Sequence, residues 1–334
     1  MIDQAVNEYG GERLTCSLCG TGSTVLYARM KDRLFGSPGL WDFRQCGNPQ
    51  CRFVWLDPMP TKRQLEEAYA NYYTHSKIGT MNRRQLVRAY IMRTILRAYT
   101  FLLSGTSIAR SIHESNRLYL GDVKPGRLLE VGCGDGRTMT KMKDLGWQVE
   151  GQEVDLNATR VVAEKTGLPV HCGELECLKI PDKTYDAIVM VHVIEHVPDP
   201  ISLLKECYRL LKPGGTLVAI TPNMESLGHR EFGKSWRDLD APRHLQVFSP
   251  ITLSRVAEVA SFKDKTVTTT MANAHFVAGA STAIQRREGL LSDASKLGWK
   301  TAFGAALFQI REAYALARDT GCGEECVLMA RADA

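Results

Sequence analysis

No stretch of this chain approaches the roughly 20 consecutive apolar residues that a bilayer-spanning helix needs, so a helical integral membrane protein is not expected. The opening residues, Met1-Ile2-Asp3-Gln4, lack the basic and then apolar order of a secretory signal, and a cytoplasmic protein is the default. Strong charge of one sign is also missing. The 42 Lys and Arg stand against 37 Asp and Glu, and a net charge of +5 argues for no nucleic-acid partner by itself. No internal repeat or low-complexity tract is present. Ten cysteines are many for a disulfide framework in that compartment, and four of them fall in a metal-like pattern instead.

What is present suits a soluble α/β domain plus a smaller attachment: 334 residues, 44% hydrophobic and 24% charged. The first segment, about 12–60, holds Cys16-x2-Cys19 and Cys46-x4-Cys51. Each pair sits among turn formers, Gly20 and Gly22 in one case and Gly47-Asn48-Pro49 in the other. Val25–Tyr27 and Leu40–Arg44 read as strands between them. This is the pattern of a zinc ribbon, in which four thiolates around a structural Zn²⁺ replace a core too small to form. The alternative is four scattered buried thiols.

A helical linker or lid is expected over about 61–120. Thr61 is a good N-cap for a helix over Lys62–Tyr73, and a second helical pattern runs from Met81 to Leu103. The second carries Arg83, Arg84, Arg88, Arg93 and Arg97 beside an apolar stripe. A solvated basic face explains it; the sharper reading is contact with an acidic substrate or with the periphery of the inner membrane.

From residue 121 onward strands and helices alternate. Arg127–Val131, Gln148–Glu153, Pro169–His171, Tyr185–Val191 and Gly215–Thr221 read as strands, with helices between them. Pro250–Ala260 reads as a helix, and Lys265–Thr270 and Glu325–Arg331 as closing strands, with a helical insertion at about 275–320. The predicted fold class is α/β, a doubly wound seven-stranded Rossmann-like sheet, whose ligands bind beyond the carboxyl ends of the strands. Leu128–Arg137, at the first strand end, is the most informative stretch. It places Gly132, Gly134 and Gly136 at alternate positions before a helix. Glycines there allow close backbone approach to a ligand, and helix-start amides favour an anionic group. The G-x-G-x-G spacing differs from the dinucleotide G-x-G-x-x-G, which disfavours a nicotinamide dehydrogenase and points to the carboxylate and adenosine of S-adenosylmethionine.

In these elements the chain resembles the class I S-adenosylmethionine-dependent methyltransferases over about 125–331. Leu128–Arg137 matches their glycine-rich motif, Glu153 the acidic residue ending the second strand, and Cys172–Leu175 the adenine loop. Tyr185–Val197 matches the fourth-strand motif, and Lys212-Pro213-Gly214-Gly215 the turn before the fifth strand. The resemblance implies cofactor contacts from Glu130, Gly132, Cys133, Gly134, Gly136, Glu153, Val154, Glu174, Leu175 and His192, with Glu153 accepting from the ribose hydroxyls. With the cysteine segment and Arg243–Pro250, the chain is similar to a bacterial type 11/12/23 branch that serves glycan, sugar-nucleotide or secondary-metabolite pathways. It is also similar to the ubiquinone-type O-methyltransferases, whose Glu-x-x-Glu-His binds a divalent ion. Here the string is His192-x-x-Glu195-His196, with His192 in place of the first carboxylate, so the resemblance leaves a divalent ion at the active site as an open expectation.

Methyl transfer from a sulfonium needs alignment and, for a hydroxyl acceptor, removal of a proton. Histidine suits that step near neutral pH. His244 is the first candidate base, followed by His196 and Glu195; the bland reading of each is a structural residue. Trp236, Asp238, Asp240 and Arg243 are candidates for an acceptor pocket, Trp236 as a stacking plate and Arg243 as an anion clamp. The expected activity is O-methylation of a small molecule or glycan intermediate. The alternatives are an RNA methyltransferase gripping RNA with its zinc module and a non-catalytic cofactor-binding partner subunit. The absence of an Asn/Asp-Pro-Pro-Tyr/Phe motif after the fourth strand argues against the RNA reading. An inverted zinc-protease motif is disfavoured because Val197-Pro198 prevents one helical face.

Overall fold

A computed structural model describes residues 10–69, 94, 103–286 and 299–333. The Met81–Leu103 pattern lies almost wholly outside these residues, and the helix expected over Lys62–Tyr73 is described as far as Tyr69.

Two sheets organise the chain. Strands β1 (Ser23–Met30), β2 (Trp41–Cys46) and β3 (Val54–Asp57) form an antiparallel sheet. Its fourth strand comes from far along the chain: β9 (Gln246–Val247) pairs with β3. The larger sheet contains β4 (Arg127–Val131), β5 (Gln148–Glu153), β6 (Val170–Cys172), β7 (Tyr185–Val191), β8 (Leu211–Pro222), β10 (Asp264–Thr270) and β11 (Glu325–Arg331). Their spatial order is β10-β11-β8-β7-β4-β5-β6, with β11 antiparallel to both neighbours. This is the expected seven-stranded Rossmann-like sheet. Chain order reverses between β4 and β7, which opens a crevice at their carboxyl ends.

The helices take their boundaries from local chemistry. Helix α1 covers Lys62–Tyr69 and α2 Ser107–Asn116. Helix α3 (Arg137–Asp144) follows the glycine corner. Helix α4 (Leu156–Thr166) starts where Asp155 accepts the Ala158 amide and ends at left-handed Gly167. Helix α5 (Pro200–Leu210) is capped by Asp199, with proline at the first turn. A short α6 (Leu227–Phe232) is capped by Ser226, and α7 (Pro250–Val259) opens with a Ser249/Thr252 capping box. The expected insertion consists of α8 (Ala274–Gln285) and α9 (Trp299–Leu316). Gln309, fully buried in α9, donates to the Met271 carbonyl just ahead of α8.

Both faces of the central strands are buried. Leu128, Ala187 and Val189 pack on one side, and Leu129, Ile188 and Met190 on the other. The second core runs on into the cysteine segment, where Phe53 packs against Phe248 at 5.8 Å between ring centroids. Burying such side chains contributes about 2 kcal/mol each, so the small sheet is fastened by shared core as well as by the β3–β9 ladder.

Candidate active site

The glycine corner is built by left-handed backbone. Gly132, Gly134 and Gly136 have φ of +66°, +52° and +72°. A Cβ at Gly132 would lie 2.5 Å from the Val193 side chain, and one at Gly136 would lie 2.8 Å from Val162 and Thr166. These two glycines are therefore required by packing. At Gly134 the nearest neighbour would be the Gly132 carbonyl at 4.0 Å, so this position faces open space. Glu153, at the end of β5, accepts from the Gly134 amide (3.1 Å) and from the Val154 amide (2.8 Å). Val154 is 63% exposed, an apolar surface beside that carboxylate. Glu130 is buried under the corner, where burial pushes its carboxyl up to about 8, and its Oε2 has no partner among the described residues.

These features fit S-adenosylmethionine. An orphaned buried carboxyl oxygen can take the cofactor's ammonium, the space over Gly134 admits the methionyl chain, and Glu153, whose Oε1 also accepts from the Asp155 amide (3.3 Å), keeps a lone pair on Oε2 for a ribose hydroxyl. Glu174 is exposed after β6. Cys133 and Leu175 turn their side chains into the core, so they offer only backbone to the cofactor. Gln152, which sequence reasoning missed, ties the corner to the adenine loop. It accepts from the Gly132 amide (3.1 Å) and donates to the Gly173 carbonyl (2.6 Å). Its alternation with Glu153 marked it only as inward-facing.

The turn after β7 packs on this corner through Val193. The ring of His192, a candidate cofactor contact, lies between two carboxylates. Nδ1–H donates to Glu195 Oε1 (3.2 Å) and Nε2–H to Glu325 Oε1 (2.9 Å). Burial disfavours its charge, but the two carboxylates win and raise its pKa well above the usual value. It is an imidazolium. Glu195 is fully buried, and its Oε2 accepts from the Thr221 hydroxyl (2.9 Å). Burial alone would raise this carboxyl, yet His192 and its neighbours hold it at about 2. His196 donates from Nδ1 to the Arg243 carbonyl (3.0 Å), and the Tyr69 hydroxyl lies 2.9 Å from the same nitrogen. Burial and the nearby His244 lower the His196 pKa to about 4, so its ring is neutral. The buried His244 donates from Nδ1 to the Asp238 carbonyl (2.7 Å) and stands edge-on to His196 at 4.7 Å. Glu195, His196 and His244 thus converge, with one ligand atom of each within 4.8 Å of the others.

The expected acceptor pocket needs correction. Arg243 is fully buried, bidentate to Asp32 (2.8 Å to each oxygen) and paired also with Asp240, with its guanidinium 4.5 Å over the Phe35 ring. Its donors are spent on the protein, so it clamps no ligand anion. Trp236 is 1% exposed and donates to Glu324 Oε1 (2.5 Å); it offers no stacking plate. Asp238 and Asp240 are buried too, Asp238 paired with Arg237. All four hold the His244 loop. Asp32 and Tyr69 were missed because each meets its partner across more than a hundred residues.

The four ribbon cysteines come together as expected. Their Sγ atoms lie within 4.8 Å of one another, with Cys16–Cys51 at 3.8 Å and Cys19–Cys46 at 3.4 Å, and all four are free thiols. Zn–S bonds of about 2.3 Å in a tetrahedron put sulfurs about 3.8 Å apart. The Leu18 and Asn48 amides donate to Cys16 and Cys46 Sγ, each at 3.4 Å. The donor set fits a closed structural Zn²⁺.

A family model described as a methyltransferase domain matches residues 107–267. The chain is similar to a ubiquinone biosynthesis O-methyltransferase of Parvibaculum lavamentivorans, 34% identical over 108 residues, 31% of this chain and 43% of that protein. It is also similar to a probable S-adenosylmethionine-dependent methyltransferase of Mycolicibacterium smegmatis, 30% identical over 138 residues, 41% of this chain and 51% of that protein. The chain thus spans about half the length of the curated relatives it matches. Among solved structures, a Thermotoga maritima methyltransferase described as a possible histamine N-methyltransferase aligns with a TM-score of 0.44 and 23% identity, over 72% of this chain and 98% of that one. No helix among the described residues is long and apolar enough to cross a membrane. Glycine corner, strand order and family match converge: this chain carries a class I S-adenosylmethionine-dependent methyltransferase domain.

Proposed function

We propose that the protein transfers a methyl group from S-adenosylmethionine to a hydroxyl of a small-molecule or glycan acceptor. The observation that carries this reading is the junction of two half-sites. The Val193 methyl touches the Gly132 corner, so the turn bearing Glu195 and His196 lies against the cofactor's expected place. The cofactor supplies an activated methyl carbon for in-line displacement. Glu130, the Gly134 backbone and Glu153 would bind and orient it. Glu195, His196 and His244 stand where an acceptor hydroxyl has to lose its proton, and the low exposure of all three excludes bulk water. An O-methyltransferase among the similar proteins supports oxygen as the acceptor atom.

Radiolabelled S-adenosylmethionine incubated with the protein and a fractionated extract tests the proposal. Label in a small-molecule or glycan fraction, alkali-stable as an ether, is the expected result. Nuclease-sensitive label, or cofactor binding without any transfer, overturns it.

A further inference from the structure

The buried ion pairs of Arg243 form the floor of a small recess that opens to solvent. The β1–β2 loop and segment 234–241 meet around it, and it measures about 260 Å³ counted out to its mouth. We propose that this recess is a second ligand site and that it takes a phosphate group, with the body of any larger ligand left outside. The site goes beyond methyl transfer and does not rest on that reading.

Three observations support it. First, cations converge from two directions. Lys31 and Arg33 come from the loop after β1, Lys234 and Arg237 from the segment that leads to His244, and all four line the recess. The two walls touch, because Arg33 Nη1 donates to the Lys234 carbonyl (3.1 Å). Second, the loop that presents Lys31 and Arg33 is fixed from within. The buried Asp32 carboxylate between them accepts from the Leu34, Phe35 and Ser37 amides at 2.9–3.0 Å and holds Arg243 on the same two oxygens. The backbone that bears the two cations is thus ordered before a ligand arrives, which removes part of the entropic cost of binding. Third, the charge is unbalanced. The recess and its floor hold five cations, Lys31, Arg33, Lys234, Arg237 and Arg243, against three carboxylates, Asp32, Asp238 and Asp240. All three carboxylates are buried and paired with Arg237 or Arg243. Lys31 and Lys234 are exposed and have no ion pair among the described residues.

The excess of two positive charges selects the ligand class. A phosphate monoester carries close to two negative charges at neutral pH and offers three acceptor oxygens; a carboxylate would leave one charge unmatched. The ammonium groups of Lys31 and Lys234 have three donors each and can bind those oxygens directly, while Arg33 and Arg237 add to the field. Leu34 and Trp236 line the same recess and are almost fully buried, so the cations act beside a low-dielectric wall that focuses their attraction. Occupancy would also reach the candidate active site. Leu239, Asp240 and Ala241 belong to the wall, the Asp238 carbonyl accepts from His244 Nδ1, and the Asp240 carbonyl accepts from the His244 amide. A phosphate held in the recess braces the loop that sets His244.

The test is calorimetry of the whole protein at low ionic strength, where surface charge is least screened, with inorganic phosphate and then with phenyl phosphate. Saturable one-to-one binding in the millimolar range or tighter is expected. The double substitution Lys31→Gln, Lys234→Gln should weaken it by about tenfold, the scale of losing two exposed ion pairs. Should the double variant not fold, Lys234→Gln alone makes the same comparison with a smaller loss. Equal affinity for the two probes assigns the site to free phosphate, and tighter phenyl phosphate assigns it to an organic monoester; either supports the proposal. No saturable binding of either probe to the wild type overturns it, as does unchanged affinity in the variant. A parallel titration with S-adenosylhomocysteine locates the anion. Nucleoside affinity unchanged by phosphate is expected, and displacement of the nucleoside would place the anion at the glycine corner and overturn the recess.

Discussion

The two halves of the candidate active site are held by different physics. The cofactor half is backbone: three left-handed glycines within five positions, with Glu153 and Gln152 bonding directly to their amides. The half proposed to take the acceptor is side chain. His196 and His244 are set by carbonyls from a loop that is itself fastened by a buried Arg243, which reaches back to Asp32 in the small sheet. The first half is fixed by local steric rules and tolerates changes elsewhere. The second depends on contacts spanning up to 211 residues, so the cysteine segment is part of the active site's scaffold. Gln246, two residues after His244, pairs with Trp55 of β3, and the Leu56 amide donates to the Leu245 carbonyl.

Substitutions can separate the halves. The largest effect is expected from Gly134→Ala. The added methyl enters the open space over the corner, and φ of +52° strains any L side chain by about 1–3 kcal/mol. Affinity for S-adenosylhomocysteine should fall by about 100-fold or more in calorimetry, with the fold intact by circular dichroism. His244→Ala should do the reverse. Nucleoside affinity should stay within about threefold, while turnover falls by a factor of about 100 to 10,000, the range for losing a group that acts on the acceptor proton. Parallel losses in both measurements would erase the distinction between the halves.

Asp32→Asn probes the long-range scaffold. It leaves Arg243 buried with Asp240 as its one carboxylate, at a cost of about 3 kcal/mol in stability. Burial would raise the Asp32 carboxyl, but Arg243 holds it well below its usual value, so in the folded protein it stays charged into acid. A lowered folded value gives stability that is complete above the unfolded carboxylate value of about 4 and is lost as pH falls. The melting difference between wild type and Asp32→Asn should therefore be widest near neutral pH and shrink below about pH 4. A difference independent of pH would show that the ion pair is not its source. Chelation should also impair turnover before nucleoside binding, because the sheet next to the cysteine quartet is the one that pairs with β9. The smallest effect belongs to Tyr69→Phe, which removes one hydroxyl at His196 Nδ1 while the Arg243 carbonyl remains. A few-fold loss of turnover with unchanged nucleoside affinity is expected.

The same contrast explains what could be read from the chain alone. Arg127–Val131, Tyr185–Val191 and Glu325–Arg331 begin and end where their patterning says, because these buried strands carry apolar runs, whereas Gln148–Glu153, with Val149 as its one apolar side chain, follows from the alternation of strand and helix around it. The glycine corner and the cysteine quartet are legible because spacing along the chain determines geometry in a tight turn. The roles of Arg243 and Trp236 were not legible, since an arginine in a loop looks the same whether it faces solvent or Asp32. The β3–β9 pairing escaped for a related reason. Gln246–Val247 is a two-residue strand with no periodicity to show, and its partner is nearly two hundred residues away.

A titration of zinc-replete wild-type protein with S-adenosylhomocysteine, followed by calorimetry, examines the foundation of this account. Saturable one-to-one binding with micromolar affinity, weakened when Glu153 is replaced by alanine, is the predicted outcome. No heat of binding up to millimolar nucleoside, from protein that melts cooperatively, would contradict it.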